Sequence, residues 1–280
     1  MSKMNINPKR GWETKWSKEE EDILINNYSL KTIEELIELL PNRNEKGIYS
    51  HAHKLKLKYH TYNENYFNEI DTPNKAYWLG FLSADGYITT GYRWGVEIKI
   101  DDKPHLEKLN NCLESNITIR TRKRKTGAES CSLQFKNKQM YDSFVKWGFT
   151  HNKSHEIVFP SIPKNLRLHY IRGVIDGDGS YCKSKNGKYY KYCISLVGAN
   201  KSFLESIRDA LLEELNITAS INTHKGLHTL TIGRKKDIKL FCKSVTLQEN
   251  IMLHRKREKA LTFLREMEGK TNVQHEHRDD

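Results

Sequence analysis

A chain of 280 residues carries 47 Lys and Arg against 35 Asp and Glu, a net charge of +12, which points to a polyanionic partner, nucleic acid first. That length allows one large domain or two to three small ones. Five cysteines with no CxxC pair exclude a disulfide framework or zinc cluster, no apolar run is long enough for a membrane span, and the basic start MSKMNINPKRGW has no apolar core for secretion; a cytoplasmic protein with free thiols and no membrane partner is expected.

Residues 1–11 are expected to be disordered. Residues 12–59 then read as three short helices. Ser17 caps the first with Glu20 in a capping box, and it runs to about Asn27. Thr32 and Glu35 start the second, Ile33–Leu40, which Pro41 ends. Asn44 opens the third, with Ile48, Ala52 and Leu55 on its buried stripe. Packing around Trp16, Leu24, Leu36 and Ile48 makes a helix-turn-helix, and the third helix presents Lys46, Ser50 and His53 off the stripe, as major-groove reading requires. The run KWSKEEEDIL and the Lys-rich third helix resemble a Myb/SANT-like domain.

Residues 60–72, polar and Asn-rich, read as a linker. Thr72 with Pro73 then starts a helix, and from there an α-β-β-α-β-β-α order occurs twice, over 73–160 and 161–268. The first copy reads as helix 73–85, a strand pair with Trp94, Val96 and Ile98 alternating, helix 103–114, strands near 116–124 and 131–136, and helix 138–147. The second reads as helix 164–178, a strand with Tyr192, Ile194 and Leu196 alternating, helix 201–215, strands 217–223 and 227–232, helix 235–243 and a terminal helix 249–266. Residues 269–280 are expected to be a disordered tail.

Each copy contains the same short pattern, WLGFLSADGYI around Asp85 and YIRGVIDGDGSY around Asp178, with Gly80 and Gly173 five residues before the acid. Gly80 with Ala84, and Gly173 with Gly177, put small residues four apart on one helical face, a spacing that lets two helix backbones approach closely. Asp-Gly at the end of each helix looks like a C-cap. A carboxylate there opposes the helix dipole, and packing the helices side by side brings the two acids together. A divalent cation is the simplest compensation: Mg²⁺, with Mn²⁺ as substitute, held by Asp85 and Asp178, with the backbone of Ala84 and Gly177 as further ligands. The bland alternative is that Asp-Gly merely turns the chain into two hairpins; it accounts for one copy more easily than for two with the same upstream spacing.

LGFLSADG and IRGVIDGDG resemble the paired motif of LAGLIDADG homing endonucleases of the single-chain, two-motif type. The resemblance implies an α+β fold, two αββαββα repeats with pseudo-twofold symmetry forming a DNA-binding saddle, and metal-dependent double-strand breaks leaving 3′ overhangs. It implies Asp85 and Asp178 as metal ligands and Lys153 and Lys256 as basic catalytic residues. Ser83 stands where the family has a first acid, which Asp176 keeps in the second copy. On or beside the strands, Arg120, Arg122, Arg124, Lys136, Lys183, Lys185, Tyr190, Lys225 and Arg234 are the candidate DNA contacts. The expected partner is double-stranded DNA with a long, near-asymmetric target, bound by a monomer. The alternatives are an RNA maturase assisting group I intron splicing and a non-catalytic DNA-binding regulator on the same scaffold.

Overall fold

A computed structural model describes residues 15–59, 61–187, 189–247 and 251–272. The expected disorder of residues 1–11 and of 273–280 lies outside the described residues. The chain falls into two compact units, Met1–Asn63 with Asn110–Thr118, and Glu64–Leu109 with Ile119–Asp280. No helix among the described residues is long and apolar enough to cross a membrane.

In the first unit, α1 (Lys18–Asn27), α2 (Ile33–Leu39) and α3 (Glu45–Lys54) begin at the expected caps. Ser17 and Glu20, like Thr32 and Glu35, exchange side chain-to-backbone bonds, which satisfies N–H groups a helix start leaves open. Leu24, Tyr28, Leu36, Leu40, Ile48 and Ala52 form the core. The sequence reading missed Arg43. Only 4% exposed, it pairs with Glu20 at 2.5 Å and lies over the Trp16 ring, which stacks on His51. Lys46, Ser50 and His53 are exposed on α3.

The second unit repeats one order twice, except that the last residues of α5, Asn110–Cys112, belong to the first unit. The first copy runs α4 (Pro73–Asp85), β1 (Gly86–Thr89), β2 (Arg93–Lys99), α5 (Lys103–Cys112), β3 (Arg120–Lys123), β4 (Glu129–Lys136) and α6 (Lys138–Lys146). One helical turn, α7 (Lys153–Glu156), leads to α8 (Lys164–Asp178). The second copy continues with β5 (Ser180–Asn186), β6 (Tyr189–Gly198), α9 (Lys201–Leu215), β7 (Ser220–His224), β8 (Leu227–Ile232) and α10 (Lys235–Val245). The terminal helix α11 (His254–Asn272) starts and ends later than expected, so helix replaces the first residues of the supposed tail. Strands β3 and β7 are also shorter at their N-terminal ends than the sequence pattern indicated.

Each copy forms a four-stranded antiparallel sheet, ordered β1-β2-β4-β3 and β5-β6-β8-β7. One face of the first buries Trp94, Val96, Leu133 and Phe135, and the same face of the second buries Tyr181, Ile194, Leu196, Leu230 and Ile232. The supposed linker contributes to this packing. Phe67 is fully buried against Trp94 and Phe144, and its carbonyl accepts the Trp147 indole N–H at 2.6 Å. Aromatic residues in a polar stretch are therefore core, not spacer.

The pair α4 and α8 makes the most extensive contact between elements. Consecutive residues Ala76–Ser83 and Tyr170–Asp176 are buried, as expected of helices covered on every side. The helices meet backbone to backbone. A Cβ on Gly80 would stand 2.8 Å from the Tyr170 carbonyl carbon and closer to its oxygen; one on Gly173 would stand 2.5 Å from Phe81 N. No side chain fits in either place. Gly80→Ala is expected to destabilise the second unit by at least about 3 kcal/mol, because backbone rather than a movable side chain must yield. A drop in its thermal or urea midpoint measures this.

Candidate active site

Asp85 and Asp178 end α4 and α8. The glycines that follow them cap the helices as expected, their N–H groups bonding the Leu82 and Ile175 carbonyls, but Gly86 and Gly179 are extended, at φ −77° and −72°, where a C-cap is commonly left-handed. They are needed for space: a Cβ would lie 2.5 Å from the Leu82 carbonyl oxygen in one case and from that of Ile175 in the other. Extended backbone there sends the chain directly into β1 and β5.

The two acids meet at the seam. A Cβ built on Gly177 would lie 3.0 Å from Asp85 Oδ2, so the Asp85 carboxylate rests against the last turn of α8. Burial pushes the Asp85 pKa up to about 6, with the nearby Asp178 carboxylate adding to the rise. Burial raises Asp178 as well. Both acids are thus held above the ordinary carboxylate value, chiefly by burial.

Lys153 and Lys256 are both here, at matching places. The Lys153 ammonium donates to the carbonyls of Leu82 (3.3 Å), Ala84 (2.6 Å) and Gly86. That of Lys256 donates to Ile175 (3.2 Å) and Gly179. Each lysine thus closes the C-terminal end of its own copy's helix, where the dipole favours a cation. Burial lowers both pKa values to about 8. The three N–H donors of Lys153 are all engaged by backbone carbonyls. The Ala84 carbonyl, expected as a metal ligand, already faces that ammonium, so like charge opposes a cation there. Gly177, the other backbone candidate, lies against Ala84 and Asp85.

A second crossing was not foreseen. Tyr77 and Tyr170 stand eight residues before Asp85 and Asp178. The Tyr77 hydroxyl donates to Asp176 Oδ2 at 2.7 Å, and the Tyr170 hydroxyl donates to Ser83 Oγ at 3.0 Å. Ser83 and Asp176 occupy matching positions in the two copies with unlike side chains, and each receives the other helix's tyrosine. Asp176 also accepts the Leu253 N–H at 2.7 Å. His105 Nε2 completes the chain, 2.9 Å from the Tyr77 hydroxyl; burial lowers its pKa to about 3, so it is neutral and donates. Asp176 is therefore a structural acid joining α8 to α4 and to the start of α11. The signal was two tyrosines at equal offsets.

Cross-strand register decides which residues face away from the core. In the first sheet, Arg120 aligns with Ser132 and Glu97, Arg122 with Ser130 and Lys99, and Lys136 with Arg93. All lie opposite Trp94, Val96 and Leu133. Arg120, Arg122 and Lys136 are thus on the open face as expected, joined by Arg93 and Lys99. Arg124 pairs with Glu97 at 3.1 Å. In the second sheet three of the candidates lie on the other face. Lys183 pairs with Tyr192, and Lys185 with Tyr190, on the face of Tyr181 and Ile194. Lys183 binds Glu266 of α11 at 2.5 Å and sits over the Tyr190 and Tyr192 rings. Alternation was recognised, but its phase needed the hairpin register. Lys225 is at the tip of the β7–β8 hairpin with φ 49°, and Arg234 precedes α10, paired with Asp237 at 2.6 Å. The open face here carries Lys191 among Ser180, Cys182, Ser184, Cys193, Ser195, Ser220, Asn222, Thr229 and Thr231. One sheet offers guanidinium and ammonium groups; the other offers neutral hydroxyls beside exposed Tyr189, Val197 and Leu227.

Residues 165–246 match the family model of a LAGLIDADG-like domain, and residues 74–138 that of the WhiA LAGLIDADG-like domain. The chain therefore carries two LAGLIDADG-like domains. The LAGLIDADG meganuclease I-AabMI, solved bound to uncleaved DNA, aligns at a TM-score of 0.52 and 9% identity over 73% of this chain and 93% of its own; the two share the fold. Full-length DUF199/WhiA from Thermatoga maritima aligns at 0.46 and 19% identity over 73% of this chain and 64% of its own. A probable translation initiation factor IF-2 of Methanocaldococcus jannaschii is 28% identical over 181 residues, 59% of this chain. The chain spans 14% of that protein's length.

The raised carboxylates set a pH dependence. Each binds its proton more tightly in the folded chain than in the unfolded one; for Asp85 the contribution to stability is full below about pH 4 and is lost as the pH rises through about 6. In EDTA, Asp85→Asn is expected to stabilise the protein by about 1–3 kcal/mol at pH 7.5. The advantage should vanish toward pH 4.5, as thermal melts across that range would record.

Proposed function

We propose that this chain is a site-specific DNA endonuclease that hydrolyses phosphodiester bonds in both strands, leaving 3′ overhangs, with Mg²⁺ as cofactor and Mn²⁺ able to replace it. The observation that carries the reading is the meeting of Asp85 and Asp178 at the α4/α8 seam, both retained and both with raised pKa values. A cation fits these donors. Two hard carboxylates are disposed to share one, and no group of three or more His, Cys, Asp or Glu among the described residues could hold a metal unaided. That suits an ion which keeps waters and takes phosphate oxygens. Bound there, a divalent cation supplies charge neutralisation at phosphorus and acidifies water.

The protein's own residues do the rest. Asp85 and Asp178 would hold the cation that meets the phosphates. Lys153 and Lys256 fix the helix ends that carry them and keep positive charge beside the acids. Arg93, Lys99, Arg120, Arg122 and Lys136 on the first open face neutralise backbone phosphates. The hydroxyls and amide of the second open face suit base edges. Because the faces differ, a long, near-asymmetric site follows, and one chain bearing both acids suffices as a monomer. The first unit, with Lys46, Ser50 and His53 exposed on α3, adds a Myb/SANT-like helix-turn-helix contact to DNA and raises affinity by effective concentration. The match of the first copy to the WhiA domain favours a second reading, a DNA-binding regulator that does not cleave.

Exposure of a randomised plasmid library to the protein with Mg²⁺ tests this. Linear product of defined sequence is expected, absent in EDTA and lost in Asp85→Asn and Asp178→Asn. Selective retention of the same library without cleavage, unchanged by those substitutions, would establish the regulator and overturn the nuclease. Duplex affinity should also fall steeply with salt. Arg120→Ala with Arg122→Ala is expected to lower the slope of log K against log[salt] by about 1 for each phosphate contact removed, measured by fluorescence anisotropy.

A further inference from the structure

Cys182 and Cys193 lie directly opposite one another on β5 and β6. Residues so paired in an antiparallel sheet have Cα atoms about 4.5–5.5 Å apart and side chains on one face, the spacing that a disulfide spans. Both are free thiols, and both are partly accessible. In contrast, Cys131 and Cys242 are 1% and 0% exposed, and Cys112 lies in the other unit. At the matching place in the first sheet, four residues past the acid, Thr89 faces Arg93, so the fold does not require thiols there.

We infer that Cys182 and Cys193 form a redox modification site, a cross-strand dithiol on the open face of the second sheet that a hydroperoxide closes to a disulfide. Cys182 is the attacking sulfur. The Ser180 and Ser195 hydroxyls lie 3.4 and 3.8 Å from its Sγ. The Ser180 contact holds its pKa below the ordinary thiol value against the opposing effect of burial, with Ser195, Cys193 and then Lys259 adding to the lowering; burial, then the neighbouring Cys182, raises Cys193. The more ionised thiol reacts first.

In the first step the Cys182 thiolate attacks a peroxide oxygen. The S–O bond forms, the O–O bond breaks, and hydroxide leaves with the thiol's proton as water. The sulfur is then a sulfenic acid. Cys193 attacks that sulfur, the S–S bond forms, the S–O bond breaks, and a second water departs with the Cys193 proton. The two thiols supply two electrons and two protons, and hydrogen peroxide becomes two waters. Closure removes two hydrogen-bonding groups from the middle of the open face and crosslinks β5 to β6. Thiol exchange reverses it. The chemistry does not depend on cleavage of DNA.

Treatment of the full chain with equimolar hydrogen peroxide, followed by alkylation and mass analysis, tests the assignment. The expected result is loss of the mass of two hydrogens, one crosslinked peptide joining Cys182 to Cys193, and reversal by dithiothreitol. Cys182→Ser and Cys193→Ser, each with a thermal melt to verify folding, should abolish the loss. Unchanged alkylation of both cysteines in the treated parent would overturn the assignment. So would oxidation that stops at separate sulfinic acids, or the same mass loss in Cys182→Ser. The parent peptide map decides alone if a variant fails to fold.

Discussion

Two helix backbones touch at glycine, and the rest of the second unit is arranged about that contact. Gly80 lies on the Tyr170 carbonyl, Gly173 on the backbone of Tyr77 and Phe81, and nothing larger than hydrogen has room. Each glycine costs about 1 kcal/mol in helix propensity. The return is that α4 and α8 run close enough for their last turns to share one small volume. Every element that follows a signature helix, β1 on one side and β5 on the other, starts from that seam.

Such closeness creates an electrostatic difficulty. Two carboxylates sit at two helix C-termini, partly out of water and near each other, and each condition disfavours ionisation. The structure offsets part of it with the ammonium groups of Lys153 and Lys256, laid on the carbonyls that end the two helices. The remainder shows as the raised pKa of Asp85. A site that violates a local rule twice, and is held in violation by packing on all sides, is organised for something that binds there. The hard cation proposed for this site would offset that charge.

The pseudo-symmetry is kept where geometry depends on it and relaxed where it does not. Lysine caps and crossing tyrosines occur in both copies. The groups that receive those tyrosines differ: Ser83 accepts in one copy, while Asp176 in the other also ties in Leu253 and, through Tyr77, His105. The open faces differ more, one rich in Arg and Lys and the other in Ser, Thr and Cys. A backbone frame repeated twice thus carries two unlike surfaces, which a duplex without sequence symmetry would require.

Much of this was legible in the chain. Helix α8 begins and ends where its pattern indicated, and so does α4, because Thr72 with Pro73 and the Asp-Gly pairs are local chemistry. The small-residue spacing announced the seam, since a buried helical glycine needs a neighbour that would otherwise clash. Phase was not legible. Lys183 and Arg122 look alike in sequence, yet one lies on the helix-covered face and the other on the open one, because a strand's facing is set by its partner's register. Nor could local pattern assign Phe67 to a core or give Lys153 three carbonyls to hold. The sequence by itself determined the two repeats, their elements and the acids that end α4 and α8, all short-range matters of propensity, capping and spacing. Only the tertiary structure decided which side chains meet, which face opens to solvent and how strongly each acid holds its proton, because those depend on distances between residues remote in the chain.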